Sequence, residues 1–405
     1  MESQSVLISG AGIAGSTLAY WTARRGFRVT VVERAQGLRS SGNPVDVRAG
    51  AVDVVEQMGV MPSLREAGTH VQNLKFVNAT GRSVGRVNMG AMRTASASRE
   101  VEVPRADLAS VLFHAGSDHA EILFDDSIAS LKQDRSGVDV TFDRAAPRRF
   151  DLVIGADGLH SMVRRLAFGP EADFVRHMGL FIATVPLGGP ADNDRDVLLY
   201  NTPGQAVSIH PVRGDALAAF IFRAPMVPGF DHRDVDQHKR IVIDAFAGGS
   251  WRVPELLDGV RDADDLYFDS VSQVRLQRWS NGRIALLGDA ASCVSLFGEG
   301  STLAIVGAAT LAHTLAVTPG DHATAFDRYE AEHRSLVEPK QRSIATASAM
   351  IVPATRLGIV ARNLGTRAWP LMAAGQWVGR QTQIGRASCR ERVSSKCRSR
   401  WSPYH

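Results

Sequence analysis

The sequence predicts an α/β protein: a Rossmann-like, parallel-sheet domain, interrupted by a mostly antiparallel sheet and closed by helices. Three observations predict it. Gln4 to Arg34 reads strand, glycine turn, helix, strand. Two later apolar strands, near Leu152 and Ile284, run straight into glycine and aspartate. Between them, residues 171–280 lose helical periodicity and alternate in short runs separated by turn signals.

The opening unit carries the most information. Val6, Leu7 and Ile8 form a short apolar run, and Gly10-Ala11-Gly12-Ile13-Ala14-Gly15 follows at once. Gly10 suits a tight turn, Gly12 lets backbone approach a pyrophosphate, and Gly15 lets the helix pack on the strand. The helix start then offers free N–H groups and a partial positive charge to phosphates. Gly26 ends the helix, and a second strand, Arg28 to Val32, ends on Glu33. A carboxylate there can accept both ribose hydroxyls of an adenosine and would repel a 2′-phosphate. The bound dinucleotide is therefore expected to be FAD or NAD rather than NADP, in a Rossmann-like domain.

Polar residues Arg39 to Pro44 come next, then Val45-Asp46-Val47-Arg48 and a helix from Gly50 to Met58. Residues 71–99 read as short strands, and Pro104-Arg105-Ala106-Asp107-Leu108 opens a helix. Residues 120–143 alternate like a hairpin, with Ile122, Leu123 and Phe124, then Val138, Val140 and Phe142, around Arg135-Ser136-Gly137. Leu152 to Ile154 ends in Gly155, Asp157 and Gly158, as the carboxyl edge of a parallel sheet requires near a ligand. The 171–280 stretch predicts an antiparallel sheet with a helix near Val235 to Phe246, able to roof a pocket. The third strand end, Gly288-Asp289, leads through Phe297-Gly298-Glu299-Gly300 to a long apolar helix from Ser301 to Leu315. Residues 323–383 read as helices, broken by Pro353 and Pro370.

Composition bounds the answer. The chain has 405 residues and 44% hydrophobic content, enough for two packed units. Nothing reads as a signal peptide, and no uninterrupted apolar run reads as bilayer-spanning, so a cytoplasmic protein without membrane contact is expected. The net charge is +4, but Ile384 to His405 alone holds six basic residues against one acidic. That tail reads as translated sequencing-adapter DNA rather than natural protein, and with it set aside nothing favours nucleic-acid binding. It also holds Cys389 and Cys397, leaving only Cys293 and no disulfide framework. The twelve histidines show no metal-ligand spacing, and GxSxG is absent. A dinucleotide site without nucleophile or metal leaves the chemistry to a cofactor.

Three stretches together resemble the single-component flavoprotein monooxygenases typified by para-hydroxybenzoate hydroxylase: Gly10–Gly15 with Glu33-Arg34, Gly155-Ala156-Asp157-Gly158, and Gly288-Asp289-Ala290. The Val45–Arg48, Pro104–Leu108 and Tyr267-Phe-Asp stretches, with Trp279 and Gly282 to Leu286, are similar to the tetracycline-inactivating members, the tetracycline destructases. The resemblance implies a Rossmann-like FAD-binding domain made of residues 1–70, 100–170 and 281–320. It implies a substrate-binding sheet from 71–99 and 171–280, and C-terminal helices over 321–383, of which Ala345–Trp377 sits where some members carry a gating helix. FAD would be held by Gly10, Gly12, Ala14, Gly15, Glu33, Arg34, Asp46, Arg48, Arg105, Asp157, Gly158, Asp289, Gly298, Gly300 and Ser301. Glu33 would take the adenosine ribose, Asp289 the ribityl chain, and the helix from Ser301 would stabilise reduced flavin. Arg39 would help NADPH, which visits transiently because no second GxGxxG exists.

The implied activity is NAD(P)H- and oxygen-dependent hydroxylation of an aromatic or polyketide-like substrate through a C4a-hydroperoxyflavin, by a monomer, with tetracycline inactivation and antibiotic resistance as the concrete form. One departure stands out: the family usually has a proline and then Gly-Gln-Gly after the Gly-Asp motif, where this chain has Gly298-Glu299-Gly300 and no proline. A flavin reductase or dehydrogenase without oxygenation, and a flavoprotein that only sequesters an aromatic ligand, stay open as alternatives. A halogenase lacks its paired-tryptophan signature, and a disulfide reductase its cysteine pair.

Overall fold

Strand β1 (Ser5–Ser9), helix α1 (Ile13–Arg24) and β2 (Arg28–Glu33) form a βαβ unit whose apolar runs leave Val6, Leu7, Ile8 and Leu18 with no exposed surface. This computed structural model describes residues 3–38, 44–91, 99–212, 214–264, 266–294 and 299–366. Along the chain follow β3 (Pro44–Val47), α2 (Gly50–Gln57), α3 (Met61–Ala67), β4 (Asn73–Val77), β5 (Ser83–Asn88) and β6 (Val101–Pro104). Next come α4 (Arg105–Ser117), β7 (Ala120–Phe124), β8 (Ile128–Gln133), β9 (Val138–Phe142), β10 (Arg148–Phe150), β11 (Leu152–Gly155) and α5 (Met162–Ala167). The middle of the chain supplies β12 (Val175–Pro186), β13 (Asp196–Thr202), β14 (Gln205–Val212), β15 (Asp215–Arg223), α6 (Val235–Phe246), α7 (Val253–Asp262) and β16 (Tyr267–Val274). The last described elements are β17 (Ser280–Asn281), β18 (Ile284–Leu286), α8 (Asp289–Ser292), α9 (Glu299–Val317), α10 (His322–Ile351) and α11 (Arg356–Thr366).

A six-stranded sheet runs β17-β18-β11-β1-β2-β7, parallel except for the short edge strand β17. Its central strands are apolar on both sides because they are buried between packed layers, helices and the β8–β10 strands among them. Its carboxyl edge gathers Gly10, Gly155 and the chain after Leu286, although these lie far apart in sequence. Burying continuous apolar strands therefore assembles the site.

The expected 120–143 hairpin is corrected. β7 joins the parallel sheet, with Val31 opposite Ile122, while β9 pairs with β8 and β10 in a separate antiparallel sheet. Consecutive apolar residues Ile122 and Leu123 suit a strand flanked by layers on both sides better than a one-faced hairpin. The Asp134 carboxylate accepts hydrogen bonds from the Ser136 and Gly137 N–H groups and sets the β8–β9 turn. The membrane expectation also needs amendment. By length and composition α9 could cross a bilayer, but it is mostly buried in the protein, with Ile305, Ala308, Leu311 and Ala312 wholly enclosed.

A seven-stranded sheet runs β16-β12-β15-β14-β13-β4-β5, antiparallel except between β13 and β4. One face packs on α6 and α7 through Phe181, Phe220 and Phe222 against Val242, Phe246, Leu256 and Val260. The helix read near Val235–Phe246 is α6; the sequence reading did not identify α7 beside it. The opposite face turns toward the nucleotide-binding domain. Across it, cross-strand pairing aligns Tyr267, Thr184, Ala219, Ser208, Leu199 and Phe76 in one row.

Candidate active site

The glycine turn begins with Gly10 at φ +99°, a conformation L side chains rarely adopt; its N–H donates to Val32 O at 2.7 Å. A Cβ on Gly15 would lie 1.9 Å from the Gly10 carbonyl oxygen, so only glycine lets the helix sit this close. At Gly12, which starts α1, a Cβ would meet nothing within 4 Å, and no side chain caps the helix. Open space in front of uncapped first-turn N–H groups is the cradle a pyrophosphate needs. Ala14, beside it, is nearly buried, with its methyl 3.0 Å from where a Cβ on Gly288 would lie, so α1 and the third strand end meet here.

Glu33 is anchored at both oxygens. Its Oε2 accepts from the Ala11 N–H and its Oε1 from the Ala35 N–H, each at 2.9 Å. A carboxylate has about four lone-pair positions, so two remain for ribose hydroxyls. Arg34 follows it, exposed on the surface. Arg39 and Gly298 lie outside the described residues.

The second strand end is differently used. Asp157 accepts hydrogen bonds from Ser161 Oγ at 2.5 Å, Met162 N–H at 2.8 Å and Val163 N–H at 3.1 Å. Burial still holds its pKa up, against those donors. Its carboxylate is committed to capping α5, which leaves the turn's backbone at Gly158, at φ +80° with open space beside it, to face a ligand.

Strand pairing makes the third cluster. β3 pairs antiparallel with β6, placing Pro44 opposite Pro104 and thus Arg105 beside β3. Asp46 and Arg48 form an ion pair with each other. The Asp46 carbonyl accepts from Ser301 Oγ at 2.9 Å and Thr302 Oγ1 at 3.1 Å, which ties β3 to the start of α9. There Gly300 lies against Asp289: a Cβ on it would be 3.8 Å from Asp289 Oδ1.

Arg105 has exposed surface yet sits deep, facing Tyr267, Asp289 and Asp269. Burial opposes its charge, but those three partners outweigh it and raise its pKa. Burial pushes the Asp289 carboxyl upward and Asp269 adds to this, while Arg105 and Cys293 oppose them.

Several residues that the sequence reading did not single out for a role complete this centre. Tyr267 and Asp269 stand two apart on β16, on one strand face. His160 links Asp269 to Glu171: its Nδ1 is 2.9 Å from Glu171 Oε1 and its Nε2 is 3.8 Å from Asp269 Oδ1. Burial disfavours the His160 cation, but Asp269 and Glu171 lift its pKa to about 9. Arg164, wholly buried, donates to the Ala290 carbonyl at 3.0 Å and to the Leu159 carbonyl, tying the second strand end to the third. Glu299, the departure noted in the sequence, accepts from Lys340 Nζ on α10 at 2.8 Å. The alternation of Tyr267 and Asp269 was a usable signal. The pairings of Arg164 and Lys340 had none, since they join residues remote in sequence.

A glycine turn with an uncapped helix start, a carboxylate at the end of β2 and a deep cationic centre facing a second sheet are the features expected of a dinucleotide-dependent oxidoreductase. A family model described as FAD binding domain matches residues 3–341. The chain belongs to this family of FAD-dependent monooxygenases. It is 39% identical over 342 residues to the uncharacterized protein Rv1260 of Mycobacterium tuberculosis (strain ATCC 25618 / H37Rv), covering 84% of this chain and 92% of that one. It is 34% identical to a flavin-dependent monooxygenase of Legionella longbeachae, covering 83% of this chain and 87% of that one. Among solved structures, tetracycline destructase Tet(51) aligns at 30% identity and TM-score 0.79, and Tet(55) at 33% and 0.77. Each alignment covers 90% of this chain and 96% of the other. Klebsiella pneumoniae HpxO complexed with FAD and uric acid, 22% identical with TM-score 0.74, shares the fold.

Proposed function

We propose that this chain is an NAD(P)H- and oxygen-consuming monooxygenase that hydroxylates an aromatic or polyketide-like small molecule, tetracyclines among the candidates. The observation that carries this reading is that the glycine turn with Glu33 and the Asp289 strand end meet at one edge of the parallel sheet, where Asp289 and Arg105 face Tyr267 of the seven-stranded sheet. The similarity to two tetracycline destructases at 30% and 33% identity supports the substrate class.

Bound FAD would supply the electron transfer and oxygen activation that no side chain here offers. The chain's own residues then have defined tasks. The first turn of α1 binds the pyrophosphate through backbone N–H groups, with Gly12 leaving the space for it. Glu33 accepts the adenosine ribose hydroxyls with its remaining lone pairs. Arg105 places a firm cation near Asp289, which orients the sugar-like chain by hydrogen bonding. The start of α9, held on β3 by Ser301 and Thr302, aims its partial positive charge where anionic character develops. The sheet covers the substrate and excludes water. Arg39 is the residue we assign to transient NADPH contact.

The test is NADPH oxidation by the FAD-loaded protein with and without tetracycline, coupled to mass spectrometry of the drug. Faster oxidation with a product heavier by one oxygen atom is expected. Faster oxidation with hydrogen peroxide and unchanged drug would move the substrate elsewhere. Turnover of NADPH with an organic acceptor and no oxygenated product would favour the reductase alternative.

A further inference from the structure

The sheet face over the nucleotide-binding domain is apolar except at a few positions, and two of these form a hydrogen-bonded pair. Ser208 and His210 stand two apart on β14, on the face that carries Ala206 rather than on the Phe220 face. Ser208 Oγ and His210 Nε2 are 2.9 Å apart. Ser208 is 3% exposed, whereas His210 retains accessible surface. Strand pairing sets Ser208 opposite Ala219 and Leu199, and His210 opposite Leu217. In the same cross-strand row, the buried Thr184 hydroxyl has no hydrogen-bond partner. Tyr267, which closes that row, reaches the Arg105 centre. At about 4.8 Å per strand, the three spacings from Tyr267 to Ser208 span roughly 14 Å, enough for stacked or adjoining flat rings.

We propose that His210, oriented by Ser208, is a specificity-determining residue that hydrogen-bonds a hydroxyl group on a flat, largely apolar substrate. The proposal rests on the monooxygenase reading above and deepens it to the substrate's recognised group. Burial alone pushes His210 down to about 4, so the ring is neutral at working pH. With Nε2 engaged by Ser208, Nδ1 is the ring nitrogen open to a ligand. A neutral imidazole presents either a lone pair or an N–H there, depending on its tautomer. A hydroxyl can pair with both forms, because it donates and accepts; an ether or a carbonyl can pair with only one, and a bare ring with neither. Ala219, Leu217 and Leu199 supply the apolar wall, so a ligand without the hydroxyl would leave His210 unpaired against it. Sites built to bond a hydroxyl discriminate strongly against analogues that lack it.

The test uses the FAD-loaded full chain. Alizarin, a flat ring system with hydroxyl groups, is compared with unsubstituted anthraquinone by equilibrium dialysis, a readout independent of the flavin. FAD occupancy and melting are measured for every variant as folding controls. We expect alizarin to bind at least about tenfold more tightly than anthraquinone. His210→Phe removes that preference while leaving anthraquinone affinity in place, and His210→Gln, which keeps a hydrogen-bonding side chain, restores most of it. Equal binding of the two ligands to the unmodified protein, binding of neither, or a preference that survives His210→Phe would overturn the proposal. Failure of the monooxygenase reading looks different: FAD does not bind, or NADPH oxidation yields no oxygenated product, whatever the dialysis shows.

Discussion

Glu33 holds the glycine turn through two backbone N–H groups while keeping capacity for a ligand, so its loss acts twice. Glu33→Ala is expected to weaken FAD binding by about 10- to 100-fold, corresponding to ~1–3 kcal/mol for an unsatisfied anchor; flavin fluorescence titration measures it. The histidines give pH-dependence of opposite signs. His160 is lifted to about 9, so its contribution to stability is full below about 6.5, its ordinary value, and is lost as pH rises toward 9. His210 and His333 are pushed by burial to about 4, so stability is lost as pH falls below about 6.5 toward 4. Denaturant unfolding across pH should show a maximum near neutrality. His160→Gln should flatten the alkaline side, by an amount on the order of 1–3 kcal/mol. Ala49, at φ +47° and ψ −129° before α2, holds backbone that suits glycine. Ala49→Gly is expected to raise stability by about 1 kcal/mol in the same measurement.

At the scale of elements, contacts between strand ends and helix starts dominate. Gly15→Val would drive a side chain into the Gly10 carbonyl and push α1 off β1. The expected result is folded or partly folded protein that retains no FAD, read by the absorbance of the purified chain. Arg164 joins α5 to the backbone after Asp289 from a fully buried position. Arg164→Ala should cost on the order of 3 kcal/mol, by leaving the Leu159 and Ala290 carbonyls unpaired and removing one of the two cations beside Glu171. Chemical denaturation checks this. The Glu299–Lys340 pair between α9 and α10 is partly exposed and should contribute at most about 1 kcal/mol to stability. Its placement explains how glutamate is accommodated where the resemblance led to glutamine: the opposite charge comes from a helix 41 residues on.

Across the whole molecule, FAD binds the folded state, so its melting temperature should rise with FAD concentration; saturation at a hundred times Kd adds about 2.7 kcal/mol. The parallel sheet and its three glycine- and aspartate-bearing strand ends were legible in the sequence because apolar runs followed by Gly and Asp are local patterns. So was the alternation that marks the second sheet. The 120–143 region was misread because alternation cannot say which neighbour a strand pairs with; Ile122 opposite Val31 is a long-range choice made by burial. Asp157 was expected with Gly158 to serve the cofactor; that its carboxylate caps α5 is a contact its motif did not show. By itself, the sequence determined the fold class, the glycine turn and the position of the acid Glu33 at the end of β2, because each rests on residues adjacent along one strand–turn–helix unit. The tertiary structure alone decided that Tyr267, Asp269 and Asp289 surround Arg105, that Lys340 meets Glu299, and that Ser208 and His210 share the face above the cofactor domain. Those groupings depend on strand register and helix packing between distant segments, where burial and charge pairing act with no local trace.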